Sequence, residues 1–186
     1  MQLAIRNWKM GSDHSRPMGV WDGCAGSGGK SILLYDMVPG VDLTVSDIRE
    51  SILINLKKRF TKAGIPVDKK RVINLSSPPP GGIPGPFDLV ICDAPCTGSG
   101  TWGRTPEQLF YFNPVEIGQY AALQKKILSG LIPQVKPGAC LLYSTCSVFT
   151  KENEEAVGFL KEQFHLHLVK MELLVALAKN RDAEDV

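Results

Sequence analysis

The run Phe87-Asp88-Leu89-Val90-Ile91-Cys92-Asp93-Ala94-Pro95-Cys96 constrains the fold most, because an apolar strand ends there in an Asp and a Cys separated by Ala-Pro. Ala139-Cys140-Leu141-Leu142-Tyr143-Ser144-Thr145-Cys146 delivers a second cysteine in the same manner. Ligands of open α/β sheets sit beyond the carboxyl ends of the strands, so two cysteines and a carboxylate at such ends point to chemistry rather than packing.

The rest of the chain supplies the helices such a sheet needs. Met18 to Trp21 reads as a strand that enters a glycine loop, with a helix over Ser31 to Met37. Val41 to Asp47 is the second strand. In Ile48 to Lys62, Ile52, Leu53, Leu56 and Phe60 recur at helical spacing, and Gly64 with Pro66 ends the helix. Arg71 to Leu75 is the third strand, and Ser76 to Pro86 is a Pro- and Gly-rich loop. Thr105-Pro106-Glu107 resembles a helix start with Thr as N-cap. Glu116 to Val135 carries an apolar face, and Lys136-Pro137-Gly138 turns the chain into the Ala139 strand. Thr150 opens a helix to Gln163, and Leu166 to Leu174 reads as a last strand. Alternating strands and helices imply an α/β sandwich around a mostly parallel sheet.

A chain of 186 residues with 44% hydrophobic content suffices for one domain with its own core. Its 21 basic and 19 acidic residues leave a net charge of +2, so basic surface must be local, as in Lys57-Lys58-Arg59 and Lys69-Lys70-Arg71. The five cysteines are odd in number and lack the spacing of a disulfide scaffold. They read as free thiols in a reducing cytosol. No run reaches the roughly 18 apolar residues of a membrane span, and Arg6 and Lys9 interrupt any apolar signal core. The expectation is a cytoplasmic protein with no membrane partner.

In Asp22-Gly23-Cys24-Ala25-Gly26-Ser27-Gly28-Gly29-Lys30-Ser31 a glycine loop follows the first strand, where backbone can approach a ligand closely. Asp47, at the end of the second strand, can accept both hydroxyls of a ribose. An ordinary tight turn is the competing reading of the glycines alone. A phosphate-binding loop requires Gly where Cys24 stands, and a dinucleotide fingerprint requires Gly where Ser31 stands, so both are disfavoured.

Cys96 and Cys146 occupy strand-end loops, where a thiolate is exposed enough to attack. Cys92 and Cys140, inside apolar runs, read as inert core residues. No Cys-x-x-Cys pair exists, and His165 and His167 alternate along an expected surface strand, so no metal site is assigned.

At these residues the chain resembles the RNA (cytosine-5)-methyltransferases of the Sun/Nop/Fmu family, which use S-adenosylmethionine. Asp22 to Ser31 is similar to the family's D-x-C-A-A-P-G-G-K-T cofactor loop, with Gly26-Ser27 in place of Ala-Pro. Asp93-Ala94-Pro95-Cys96-Thr97-Gly98-Ser99-Gly100 resembles D-A-P-C-S-G-x-G, and Arg104-Thr105-Pro106-Glu107 resembles R-x-P-E. Tyr143-Ser144-Thr145-Cys146-Ser147 with Glu152-Asn153-Glu154 resembles Y-S-T-C-S…E-N-E. Four motifs in order are more specific than any one alone.

The resemblance implies a Rossmann-like class I methyltransferase sandwich acting on ribosomal or transfer RNA. It makes Cys146 the attacking thiolate, Cys96 the group that assists its release, and Asp93 a hydrogen-bonding partner of the cytosine ring. That last role requires Asp93 to carry or share a proton, which burial would favour. For the cofactor, Cys24, Ala25, Gly26, Ser27, Gly28, Gly29 and Lys30 are expected around the methionine part, Asp47 at the ribose, Asn74 either at the adenine edge or as a simple strand-end cap, and Asp93 close by. Lys30 and Arg104 are the RNA-binding candidates, with Trp102 and Lys151 near them in sequence. Arg49 reads as a solvated helix residue. Family domains usually carry more chain before the cofactor loop and end their sheet with a further apolar strand. Residues 1–17 are therefore expected to be a remnant of an upstream segment, and 18–186 a catalytic domain without its last strand. An inert cofactor- or RNA-binding remnant is the competing reading, and a nucleotide-dependent dehydrogenase or phosphatase a weaker one.

Overall fold

Five strands and five α-helices alternate along residues 17–66, 68–77 and 85–169, which the computed structural model describes. The first half comprises β1 (Gly19–Asp22), α1 (Gly29–Met37), β2 (Asp42–Asp47), α2 (Glu50–Lys62) and β3 (Lys70–Val72). The second comprises β4 (Phe87–Asp93), the short α3 (Glu107–Tyr111), α4 (Val115–Leu131), β5 (Val135–Ser144) and α5 (Glu154–Phe164). All pairings are parallel, in the order β3-β2-β1-β4-β5. The chain steps outward from β1 to β3, then returns to the other side of β1. The loops after β1 and β4 therefore diverge, and a crevice forms between their carboxyl ends.

Alternation along the strands divides the core between two helical layers, because successive side chains point to opposite faces. Val20, Leu89 and Ile91 pack with Leu34 and Val38 on the α1 side. Trp21, Val90 and Cys92 pack with Leu128, Leu131 and Leu160 from α4 and α5. Leu53, Leu56 and Phe60 form the buried stripe of α2 against Val45. Trp21 is fully buried, and its indole N–H donates to Ser46 Oγ at 3.0 Å, so the one polar atom of the ring is satisfied.

The structure departs from the sequence reading in four places. β3 ends at Val72, yet Ile73 and Leu75 are buried on the α4 side, so their apolar character marks core rather than sheet ladder. Lys136-Pro137-Gly138 lies within β5 as a bulge: Phe87 pairs with Val135, and the next pairing is Leu89 with Cys140. Pro137 has no N–H for the ladder and Gly138 has φ 76°, so both residues suit an irregularity. α3 begins at Glu107 with Pro106, not Thr105, at the cap. Residues 165–169 form no strand; His165, at φ 53°, closes α5, and the remainder of the expected last strand lies outside the described residues.

Among the described residues, no helix is long and apolar enough to cross a membrane.

Candidate functional site

A cleft of about 720 Å³ opens at the β1/β4 crevice. Cys24, Ala25, Gly26, Ser27, Gly29 and Lys30 from the glycine loop line it, facing Asp47, Asn74, Asp93 and Cys96. Gly28 is the exception in the loop. Its φ is 83°, and a Cβ there would lie 2.7 Å from Phe60 Cε1 and 3.0 Å from Leu56 Cγ. Gly28 thus seats the start of α1 on α2 rather than facing the cleft.

Asp47 ties the loop to β2. Its Oδ2 accepts the Gly26 N–H at 3.0 Å, and its Oδ1 accepts the Arg49 backbone N–H at 2.9 Å and Nε–H at 3.0 Å. Arg49 Nη2 also reaches Oδ2 at 3.3 Å. Burial pushes the Asp47 carboxyl up, but the bonds from Arg49 and Gly26 outweigh it and hold the group below the usual carboxylate range. Nothing in the sequence pairs Arg49 with Asp47, because a surface arginine at a helix start carries no distinguishing pattern. Its side chain is 61% exposed while it lines the cleft. Arg59 of α2 adds a second tie, donating to Ser27 O and Oγ at 2.8 Å. Asn74 spends its Oδ1 on Ser76, accepting from N–H at 3.1 Å and Oγ at 2.7 Å, the turn-capping use of an Asn after a strand.

The expected burial of Asp93 is not found. Its side chain is 37% exposed, because it stands at the rim where β4 ends. Oδ2 is ion-paired with Lys30, and Oδ1 accepts from Ser144 Oγ at 2.9 Å. Lys30 thereby joins the glycine loop to the end of β4. Asp22, by contrast, is fully enclosed at the end of β1. Its Oδ2 accepts from Ser31 Oγ at 2.6 Å, and its Oδ1 has no partner among the described residues. Burial pushes its pKa up to about 7, helped by nearby Asp93 and opposed chiefly by Ser31.

The loops after β4 and β5 bring Cys96 and Cys146 together, with their sulfurs 3.1 Å apart. The Cys146 backbone N–H also donates to Cys96 Sγ at 3.3 Å. Burial, then contact with Cys146, pushes the Cys96 thiol up to about 11, so it keeps its proton at neutral pH. Cys146 is exposed. The two loops touch through backbone as well: Gly100 N–H donates to Cys146 O at 2.8 Å, and a Cβ on Gly100 would lie 2.9 Å from that oxygen. Cys92 is fully buried, and its thiol is pushed well up by contact with Cys24 and by burial, as suits an inert core residue.

Arg104 and Lys151 are exposed, and neither lines the cleft. Trp102 is half-buried against Phe112, at 4.7 Å between ring centroids, and Phe149, at 6.0 Å, so its ring is engaged in packing. Among the described residues no cluster of three or more His, Cys, Asp or Glu is arranged to hold a metal.

The family model described as 16S rRNA methyltransferase RsmB/F matches residues 12–184, nearly the whole chain. The chain belongs to that family. Among its relatives is ribosomal RNA small subunit methyltransferase B of Yersinia enterocolitica, 29% identical over 161 residues. That alignment takes in 86% of this chain and 37% of the relative. PH0851 has a similar structure at TM-score 0.78 and 29% identity, covering 92% of this chain and 39% of that one. A methyltransferase homolog protein from Pyrococcus horikoshii gives 0.70 and 26%, covering 84% and 48%. The chain thus spans little more than a third of the length of the curated relative, and the part it spans is an α/β Rossmann-like methyltransferase fold. For this RsmB/F family chain, the cleft lies between the segments that resemble the cofactor loop and the D-A-P-C motif.

Proposed function

We propose that this chain transfers a methyl group from S-adenosylmethionine to carbon 5 of a cytosine in ribosomal or transfer RNA, through a covalent adduct on Cys146. The observation that carries this reading is the contact between two cysteines on different strand-end loops, at the mouth of the cleft that holds the glycine loop. Neither a dehydrogenase nor a phosphatase gives that pair anything to do.

The residues fit the donor. The unpartnered Oδ1 of buried Asp22 and the carboxylate of Asp47 offer acceptors to a ligand that carries an ammonium group and two ribose hydroxyls. Asp47 has its four lone-pair sites engaged, so ribose would displace the Arg49 guanidinium. The Arg49 side chain is 61% exposed, so the displaced guanidinium can turn into solvent while the ribose hydroxyls take over its bonds to buried Asp47. When bound, S-adenosylmethionine supplies a methyl group on a sulfonium that departs as a neutral thioether.

Carbon 5 of cytosine is a poor nucleophile until a thiolate adds at carbon 6. Cys146, the exposed member of the pair, is the attacking sulfur. Its sulfur bonds carbon 6, and electron density moves to carbon 5, which takes the methyl group. Asp93 is held by Lys30 and Ser144, and the Lys30 ammonium bonded to it would supply the positive charge and the proton needed where negative charge develops on the ring. Cys96 then gives its proton to the departing Cys146 sulfur and takes the proton from carbon 5, so both cysteines end as thiols.

The test is a Cys96→Ala chain incubated with S-adenosylmethionine and RNA transcripts of the small ribosomal subunit. A methylated covalent protein–RNA complex should accumulate, and the unsubstituted chain should turn over to 5-methylcytosine. Absence of both 5-methylcytosine and adduct would overturn the proposal.

A further inference from the structure

Glu152 is fully buried, and its carboxylate is bonded by the neutral side chains and backbone of Thr97, Ser147 and Gln124. Its carboxylate accepts four hydrogen bonds from three separate segments. Thr97, next to Cys96 on the loop after β4, donates its backbone N–H at 3.0 Å and its Oγ1–H at 2.6 Å. Ser147, next to Cys146 on the loop after β5, donates its Oγ–H at 2.7 Å. Gln124, in the middle of α4, donates its Nε2–H at 3.0 Å. The backbone oxygen of Glu152 also accepts from Tyr143 Oη at 2.6 Å, which fixes the carboxylate to β5.

Gln124 explains how the arrangement is paid in geometry rather than chance. Its amide nitrogen also donates to Pro95 O at 3.0 Å, beside Cys96, and its Oε1 is left with no partner among the described residues. A buried amide oxygen without a partner is unfavourable by about 1–3 kcal/mol. The side chain accepts that because both of its neighbours, Pro95 O and Glu152 Oε2, need a donor. A buried charge is likewise costly unless fully hydrogen-bonded, and Glu152 is.

We infer that Glu152 is the positioning residue of the two-thiol site, holding the loops after β4 and β5 in the register that sets the Cys96 and Cys146 sulfurs in contact. It touches neither sulfur and acts through Thr97 and Ser147, the residues that follow each cysteine. Its importance for methyl transfer rests on the function proposed above; the positioning itself does not.

Two variants separate charge from acceptor geometry. In Glu152→Gln, Oε2 can keep its bonds from Thr97 N–H and Gln124, while the new amide nitrogen faces the Thr97 and Ser147 hydroxyls, which can turn to accept. In Glu152→Ala all four donors lose their acceptor. The direct readout is the rate at which oxidised glutathione joins Cys96 to Cys146, measured by mass spectrometry of the linked peptides. The exchange leaves one protein disulfide and two glutathione thiols that carry away both protons. Glu152→Ala should slow this linkage about 10- to 100-fold, the loss expected when reacting atoms drift by about an ångström. Glu152→Gln should recover most of the rate, and S-adenosylmethionine affinity should be unchanged in both.

Linkage in folded Glu152→Ala at the parental rate would overturn the inference. Should that variant not fold, Thr97→Val with Ser147→Ala removes the two hydroxyl ties while the Thr97 N–H and Gln124 bonds to Glu152 remain; this double variant should slow the linkage by less than Glu152→Ala, and a parental rate in it overturns the inference. Methylation by the unsubstituted chain is scored separately. Slow linkage with no methylation would leave the positioning role standing and remove the proposed reaction.

Discussion

The two loops that face each other across the cleft are held by different means. The glycine loop is shaped by backbone and apolar packing: Gly28 sits at φ 83° over Phe60 and Leu56, and Asp47 receives the Gly26 N–H. The cysteine loops are shaped by side chains, with Glu152 gathering Thr97, Ser147 and Gln124, while Asn153 donates to Ser147 O at 2.9 Å and Phe149 O at 3.1 Å. A ligand that needs a snug, reproducible cradle is served by the first design. Two sulfurs that must meet from loops 50 residues apart in sequence are served by the second.

Lys30, paired with Asp93, is the tie between the halves, and damage away from that pair in one half should spare the other. The largest effect should come from Cys146→Ala, which removes the proposed nucleophile and should lower methyl transfer by at least roughly 10³-fold. Calorimetry should find its S-adenosylmethionine affinity unchanged; a large loss of affinity would join the two halves. Gly28→Ala comes next. It should destabilise the fold by about 2–4 kcal/mol in denaturant titrations, from strain at positive φ and the clash with Phe60. The glutathione-driven linkage of Cys96 to Cys146 should proceed at its parental rate under conditions where this variant is folded.

Asp22 sharpens the comparison through pH. Its folded pKa of about 7 lies above the ordinary 3.8, so the fold binds this proton more tightly than the unfolded chain does. The stability it contributes is full below pH 3.8 and is lost as pH rises toward 7. Asp22→Asn, which mimics the neutral acid, should therefore gain on the parent by roughly 2 kcal/mol between pH 5 and pH 8 in urea melts. A constant difference across that range would remove Asp22 as a titrating group. The smallest pair of effects concerns the ribose side. Asp47→Ala should weaken S-adenosylmethionine binding about tenfold, since it loses an acceptor and frees Gly26. Arg49→Ala should leave affinity equal or a fewfold better, because a competing cation is gone. Weaker binding in Arg49→Ala would mean that the guanidinium holds the ligand instead.

Much of this was legible before any coordinates. Strand and helix periodicity placed β1, β2, β4, α1 and α2 within a residue or two, because apolar alternation and glycine punctuation are local signals. Asp47 was legible from its strand-end position, Asn74 and Asp93 through the family resemblance, and all three share one cleft with the glycine loop apart from Gly28. The Arg49 and Arg59 ties were not legible, since both residues look like any charged helix surface. Nor were the ring partners of Trp102, Phe112 and Phe149, which are distant enough in sequence that no spacing rule links them.

The sequence by itself determined the order of the elements, the glycine-shaped loop, and the two cysteines at strand ends, because each depends on the conformational preferences of a few consecutive residues. Only the tertiary structure decided which polar groups meet. Asp93 is half-buried and paired with Lys30, Asp22 is enclosed instead, and Glu152 binds three segments at once. Those outcomes follow from the parallel sheet placing β1, β4 and β5 side by side, a long-range arrangement in which burial and partner are fixed only when the strands pair.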